Sequence, residues 1–166
     1  MIRLNLGCGV EIMDGWVNTD LHKLPGVDVA WDLDDHPWPW DDDAAEVIRA
    51  FDVYEHVNDP LGFMGEAWRV LAPNGLLVLH TSYWLNPNSY RDPTHKRFLT
   101  EESFDYWIPG TMLNQRYGLA YARGRHFAKE QIGFDNEPPH ADLIVMLRKI
   151  DAAAAAALAE QDEGEP

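Results

Sequence analysis

The sequence predicts an α/β protein built on a doubly wound, mostly parallel sheet of about seven strands, the last pair antiparallel. Three observations predict it. Short strand-like segments alternate with helix signals, the pattern of crossover units. The first segment, Arg3 to Leu6, runs straight into Gly7-Cys8-Gly9. The run Leu76-Leu77-Val78-Leu79-His80 is continuous and bounded by turns, as expected for a strand buried on both faces.

The elements follow in order. After Arg3–Leu6, the segments Trp16–Leu21 and Val27–Leu33 read as the second and third strands. Only about nine residues separate Leu6 from Trp16. A full crossover normally needs roughly 10–12, so a helix of one or two turns, or a bent loop, is expected there. Pro37-Trp38-Pro39-Trp40 breaks regular structure. Glu46–Tyr54 carries a fourth strand in its first half. Asn58-Asp59-Pro60 is a helix-start signal, a cap residue followed by proline in the first turn. Leu61, Met64, Trp68 and Leu71 then recur at helical spacing as one apolar stripe. Pro73-Asn74-Gly75 is expected to stop that helix before Leu76–His80. Residues 83–115 are rich in aromatics and read as an elaborated loop over the sheet edge, a length at which loops are usually functional. Within it, Thr100 followed by Glu101 and Glu102 suits a capped short helix. Tyr117–Phe127 and Asp142–Ile150 read as the last two strands.

A chain of 166 residues fits about one domain, placed at residues 1–150. Residues 151–166 form an alanine-rich, acidic tail, helix-prone first and then disordered, with no chemistry assigned to it. At 46% hydrophobic and 25% charged, the composition excludes a collagen-like chain, a wholly disordered chain and a disulfide scaffold. The absence of a long apolar run excludes a membrane span. One cysteine, Cys8, and no apolar leader fit a reducing cytoplasm. The net charge of −15 makes duplex nucleic acid a poor partner. That charge is uneven: residues 14–59 hold 13 acids against two bases, and residues 91–129 seven bases against four acids. The second stretch is either a face for an anionic substrate or ordinary solvated charge.

The candidate chemistry sits at strand ends. Closely spaced glycines after a strand let backbone N–H groups approach a ligand. A dinucleotide fingerprint would need a third glycine where this chain has Ile12, which disfavours a pyrophosphate site. Asp20, at the end of the second strand, either accepts hydrogen bonds from ribose hydroxyls or caps the next turn. Asp32 and Leu33 either meet the amine and face of a purine or belong to an acid-rich surface. All three fall at the carboxyl edge, where ligands bind in open α/β sheets.

The run Leu4-Asn5-Leu6-Gly7-Cys8-Gly9, continuing to Gly15-Trp16-Val17-Asn18-Thr19-Asp20, resembles the small members of the class I S-adenosylmethionine-dependent methyltransferases. The likeness continues through Asp32-Leu33, the Pro-Trp-Pro-Trp turn, Tyr54-Glu55-His56-Val57, Phe63-Met64-Gly65-Glu66, Arg69 to Gly75 and Asp92-Pro93-Thr94-His95-Lys96-Arg97. It extends to about Ile150. The resemblance implies a Rossmann-like fold and S-adenosylmethionine as cofactor. It implies that Asn5, Leu6, Gly7, Cys8 and Gly9 lie under the methionine part. Asp20 and Leu21 would take the ribose and adenine, Asp32 and Leu33 the adenine edge, and Ala50, Phe51 and Asp52 the sulfonium and substrate. Glu55 and His56 occupy the family's Glu-His position. Many relatives carry Asp or Glu at Asn5 and His at Asp52. Larger members have a helix before the first strand.

A methyl on a sulfonium is already activated, so positioning supplies much of the acceleration, and a base is needed only for a protonated nucleophile. Asp52, His56 and His95 are the candidates. Arg91, Lys96 and Arg97 either bind an anionic group of the substrate or pair with Glu101, Glu102 and Asp105. Trp84 and Trp107 are candidate substrate contacts. The histidines show no metal spacing, so no metal is predicted, and Cys8 reads as packing. Methyl transfer to an unidentified acceptor (a small molecule, a sugar derivative or a protein side chain) is the first reading. A non-catalytic cofactor-binding subunit is the second, and a nucleotide-binding oxidoreductase the weakest.

Overall fold

Seven strands form one sheet: β1 (Ile2–Leu6), β2 (Val17–Asp20), β3 (Val29–Ala30), β4 (Ala45–Phe51), β5 (Leu71–Ser82), β6 (His126–Phe134) and β7 (Asp142–Ile150). The structure is a computed structural model and describes residues 1–162; the acidic end of the tail, 163–166, lies outside the described residues. The sheet order is β3-β2-β1-β4-β5-β7-β6. β1 to β5 pair in parallel, and β7 runs antiparallel to both β5 and β6. The expected antiparallel pair therefore forms, with a second antiparallel ladder beside it.

The connection from β1 to β2 is the bent loop. It turns on backbone bonds from Glu11 N to Cys8 O (2.7 Å) and Trp16 N to Met13 O (3.3 Å). A buried polar joint holds it in place of a helix. Asn5, fully buried on β1, donates to the Glu11 carbonyl (2.8 Å) and to Asn18 Oδ1 on β2 (3.0 Å), and accepts from Arg49 on β4 (2.7 Å). Asn18 in turn accepts from Met13 N (2.9 Å). β3 is two residues long rather than the seven expected: it pairs only Val29 and Ala30 with Thr19 and Asp20, and just before them Asn18 N donates to the Asp28 side chain (2.8 Å) instead of a backbone carbonyl.

Helix α1 (Pro60–Val70) starts as its signal predicts, with Asp59 accepting from Gly62 N at 2.8 Å and proline in the first turn. Its buried face is Phe63, Met64, Gly65, Ala67 and Val70. Leu61 and Trp68 flank that face, and Leu71 already belongs to β5. Small residues at 65 and 67 bring this side of the helix in close, which an apolar stripe cannot register. The helix also ends earlier than expected: Pro73-Asn74-Gly75 lies inside β5, at a register irregularity in its pairing with β4. Along β5, Leu77 and Leu79 are fully buried while Leu76 and Val78 are half-buried, so one face is less covered than the apolar run suggests.

Within 83–115 lie a single helical turn, α2 (Asn88–Arg91), and a 3₁₀ helix, Glu101–Trp107, at the place of the short helix expected after Thr100; Thr100 N donates to Ser103 Oγ (2.9 Å), a partner the expectation did not include. The strand expected at Tyr117–Phe127 is a helix instead, α3 (Met112–Tyr121), followed by β6. Thr111 caps it by accepting from Asn114 N. Tyr117 and Tyr121, four apart, stand on the face that meets Tyr106, whose ring lies 6.3 Å and 4.8 Å from theirs. The alanine run forms α4 (Ala152–Asp162). Among the described residues no helix is long and apolar enough to cross a membrane.

Removing the Asn5 carboxamide takes the donor from the Glu11 carbonyl and one partner each from Asn18 and Arg49, which keep Met13 and the Glu11 carboxylate. N5A is expected to lose about 1–3 kcal/mol of stability, read as a lower urea midpoint with an unchanged slope.

Candidate functional site

The carboxyl edge of β1, β2 and β4 opens into a cleft of about 580 Å³. Gly7, Asp20, Leu21, Trp31, Asp32, Leu33, Asp34, Asp52, Val53, His56, Val57, Asn58, Pro93, Thr94 and Lys96 line it. A second cavity of about 470 Å³ adjoins it. Asp52, His56 and Pro93 line both, and Glu55, Ser82, Asn88, Arg91, Asp92, His95 and Asp142 complete the second.

Local chemistry shapes the first cleft. Gly7 turns at φ +61°, and a Cβ there would sit 2.2 Å from Val53 Cγ2, so only glycine leaves the floor open. Asp20 accepts from Gly9 N (2.8 Å) through one oxygen and from His22 N (2.9 Å) through the other, closing the glycine turn onto β2. Its capping role and its place on the cleft wall coexist, because a carboxylate offers about four acceptor positions. Leu21, 56% exposed, lies beside Trp31 and Leu33 as an apolar slot. Leu33 is held by its own carbonyl, which accepts from Trp38 Nε1 at 3.0 Å. Asp34 ties this wall to the start of α1 by accepting from Asn58 N (2.7 Å) and Asp59 N (2.9 Å). Burial works against the Asp34 carboxylate, but these N–H donors hold it below the usual range.

At the junction of the cavities Asp52 turns at φ +55°, a conformation uncommon outside glycine. Its N–H donates to the His80 carbonyl (2.8 Å) and its carboxylate meets His80 Nδ1 (3.0 Å). The other ring nitrogen faces Asp135 (3.6 Å) and Asp142 (4.0 Å). The bond to Asp52 outweighs partial burial and raises His80 to about 8, so it is an imidazolium among three carboxylates at neutral pH. Sequence reading passed over His80 because its three partners come from separate parts of the chain.

The structure brings Gly7, Asp20, Leu21, Asp32, Leu33, Asp52, His56 and Lys96 together in the first cleft, and Asp52, His56, Arg91 and His95 in the second. Other expected residues stand apart. Asn5 has its side chain committed to the β1–β2–β4 joint. Leu6, Cys8 and Ala50 are buried, and burial, aided by Asp20, pushes the Cys8 thiol up, consistent with packing. Gly9 donates to Asp20, and Phe51 lies under the Arg49 guanidinium at 3.6 Å. Arg97 is corrected from a substrate contact to a structural one, since its guanidinium donates to the Tyr54 and Val57 carbonyls. Trp107 is corrected likewise: it is 3% exposed and packs in the core. Trp84 is partly exposed but lines neither cavity. Trp31, Val53, Val57 and Asn58 were missed; being apolar or uncharged, they carry no chemical signal in sequence.

A β3-β2-β1-β4-β5-β7-β6 sheet with a glycine turn and two spaced acids at its carboxyl edge defines the Rossmann-like class of cofactor-binding domains. A family model for the methyltransferase domain matches residues 3–129, and the chain belongs to that family, among the class I S-adenosylmethionine-dependent methyltransferases. Solved structures share the fold. An S-adenosylmethionine-dependent methyltransferase from Archaeoglobus fulgidus superposes with a TM-score of 0.66 at 15% identity, covering 89% of this chain and 85% of that one. One from Mesorhizobium loti gives 0.56 at 16% identity, covering 89% and 90%. The trans-methyltransferase CalH in complex with S-adenosylhomocysteine gives 0.56 at 18% identity, covering 90% of this chain and 51% of CalH. No curated protein matches the sequence.

His80 carries a pH prediction. A group raised from 6.5 to about 8 in the fold stabilises fully below its unfolded value, and that stability disappears as pH rises through the folded one. Between pH 6 and 9 the native protein is expected to lose on the order of 1 kcal/mol through this group, since the exposed Asp52 partner screens the gain. Urea titrations should show this pH dependence flattened in H80Q.

Proposed function

We propose that the protein transfers the methyl group of S-adenosylmethionine, held in the first cleft, to an acceptor seated in the second cavity. One observation carries the reading: the two cavities are contiguous, and Asp52, His56 and Pro93 belong to both. The residues present fit the donor. A glycine floor that any Cβ would close, an apolar slot and a set of carboxylates match a sulfonium, an adenine and a ribose diol.

In this reading Gly7 lets the backbone run beneath the methionine part. The open acceptor positions of Asp20 take the ribose hydroxyls. Leu21, Trp31 and Leu33 sandwich the adenine. Asp32 Oδ1 accepts from Asp34 N (3.0 Å), which leaves Oδ2 for the exocyclic amine. The cofactor supplies an activated methyl, so the protein's part is alignment of the acceptor behind the S–CH₃ bond and exclusion of water. Asp52 stands where the cavities meet and takes the acceptor's proton or orients its donor group. Arg91 and Lys96 face the cavities as cations for an anionic portion of the acceptor. A small molecule, a sugar derivative or a protein side chain fits such a site, and the acidic chain disfavours duplex nucleic acid.

Calorimetric titration with S-adenosylhomocysteine tests the donor site. The native protein should bind it, and D20A should weaken binding by about 1–3 kcal/mol, or roughly 5- to 150-fold. Equal affinity in the variant refutes the ribose assignment. Release of S-adenosylhomocysteine on incubation with acceptor pools tests turnover, and D52N should lower that rate while leaving S-adenosylhomocysteine affinity within about twofold.

A further inference from the structure

The second cavity holds a constellation that methyl transfer does not require. Glu55, His56 and His95 each present one ligating atom within 4.8 Å of the others. Glu55 is 1% exposed. One of its oxygens accepts from Ser82 N (3.2 Å), and the other, Oε2, is sealed from solvent with no hydrogen-bond partner. A buried carboxylate oxygen without a donor is costly and calls for a missing partner.

Neither imidazole makes a hydrogen bond to that oxygen, and the outer contacts of the two rings fix how each is held. His95 Nδ1 faces the Ser89 carbonyl at 3.2 Å. A carbonyl only accepts, so Nδ1 carries a hydrogen, and the neutral ring that a metal requires has its lone pair on Nε2. His56 Nδ1 meets Thr94 Oγ1 at 2.9 Å, and the Thr94 hydroxyl gives its one hydrogen to Asp92 Oδ1 at 2.6 Å. Thr94 therefore accepts from His56 Nδ1, which leaves Nε2 as that ring's position for a metal. Each ring is held by a backbone carbonyl or a hydroxyl–carboxylate relay, the outer arrangement that fixes metal-binding histidines.

We propose that Glu55, His56 and His95 bind a divalent first-row transition ion, Zn²⁺ by preference, in the acceptor cavity. Two imidazoles and one carboxylate select such an ion over Mg²⁺ or Ca²⁺, which take oxygen ligands. Three protein ligands leave a coordination position open. Asp52, Glu55, Asp92 and Asp142 line this cavity against Arg91, with the His80 imidazolium behind Asp52 and Asp142, so carboxylates outnumber cations and the local field attracts a dication. Linear spacing hid the site because His95 arrives from the long loop after β5, far in sequence from Glu55 and His56.

The consequence for chemistry rests on the methyl-transfer reading. An O–H, N–H or S–H acceptor coordinated at the open position would lose its proton to solvent more readily. Its lone pair then forms the bond to the methyl carbon as the C–S pair returns to sulfur, leaving methylated acceptor and neutral S-adenosylhomocysteine. The metal site itself stands apart from that step.

Untagged protein stripped with a chelator should bind one equivalent of Zn²⁺ in competition with a chromophoric chelator, and Co²⁺ should give visible d–d absorption. H56A and H95A should each weaken Zn²⁺ by more than about tenfold, and T94A, which removes only the outer support, by roughly tenfold. H95A should keep its affinity for S-adenosylhomocysteine within twofold, which shows that it is folded. Absence of stoichiometric binding, unchanged affinity in a folded H95A, or loss in H80A rather than H95A overturns the site. Binding of S-adenosylhomocysteine without Zn²⁺ removes this inference alone, whereas Zn²⁺ binding without S-adenosylhomocysteine removes the methyl-transfer reading alone.

Discussion

The Asn5 carboxamide is the joint on which the first cleft depends. It stands on β1 and reaches β2 through Asn18, β4 through Arg49 and the intervening loop through the Glu11 carbonyl. The loop from Gly7 to Trp16 has no helix to shape it, so its path is set by these side-chain bonds and by Asn18 holding Met13. Once that path is set, Gly9 N falls within reach of Asp20, and the glycine turn and the acid become one wall. Fully satisfied buried networks of this kind rigidify a site.

A second set of constraints builds the second cavity. The loop after β5 is tied to the turn after β4 through main-chain carbonyls: Lys96 N donates to Glu55 O (2.9 Å), and Arg97 donates to Tyr54 O and Val57 O. Tyr54 itself packs against Phe63 of α1 (5.4 Å) and Phe104 of the 3₁₀ helix (5.6 Å). One aromatic cluster therefore anchors the elements that carry Asp52, His56 and His95. Atoms that must meet across two cavities are positioned by a shared core rather than by flexible tethers, the condition under which alignment contributes to rate.

Much of this was legible in the sequence. Gly7, Asp20, Asp32 and Leu33 stand where the motif order puts them, because strand ends followed by glycines and acids have local signatures. The cap at Asp59-Pro60 and the short helix after Thr100 were readable for the same reason. What escaped depends on partners distant in sequence. Nothing local separates Arg97, bound to carbonyls, from Arg91, which faces a cavity. Trp107 and Trp84 are both aromatic in one loop, yet one is core and the other surface. Tyr117 and Tyr121 look like strand residues until Tyr106 is seen beside them, which makes them a helical i, i+4 pair. Asn5 sits inside a cofactor motif and still serves the sheet, since the polarity that suits a ligand also suits a buried joint.

The distribution of charge explains which part of the proposed reaction the protein must supply. Asp20, Asp32, Asp34 and Asp52 line the first cleft with one cation, Lys96. Such a field favours the positively charged sulfonium over the neutral thioether left after transfer. That preference holds the reactant and releases the product, but it stabilises the starting cation, whose charge is already dispersing at the transition state. Interactions stronger in the ground state than in the transition state do not raise the rate of the chemical step. Acceleration must therefore come from the other cavity, through how firmly the acceptor is aligned and how readily its attacking atom is freed of a proton. In the proposed reaction the candidate groups for either task are Asp52 and His56, which line both cavities, and His95, which lines the second.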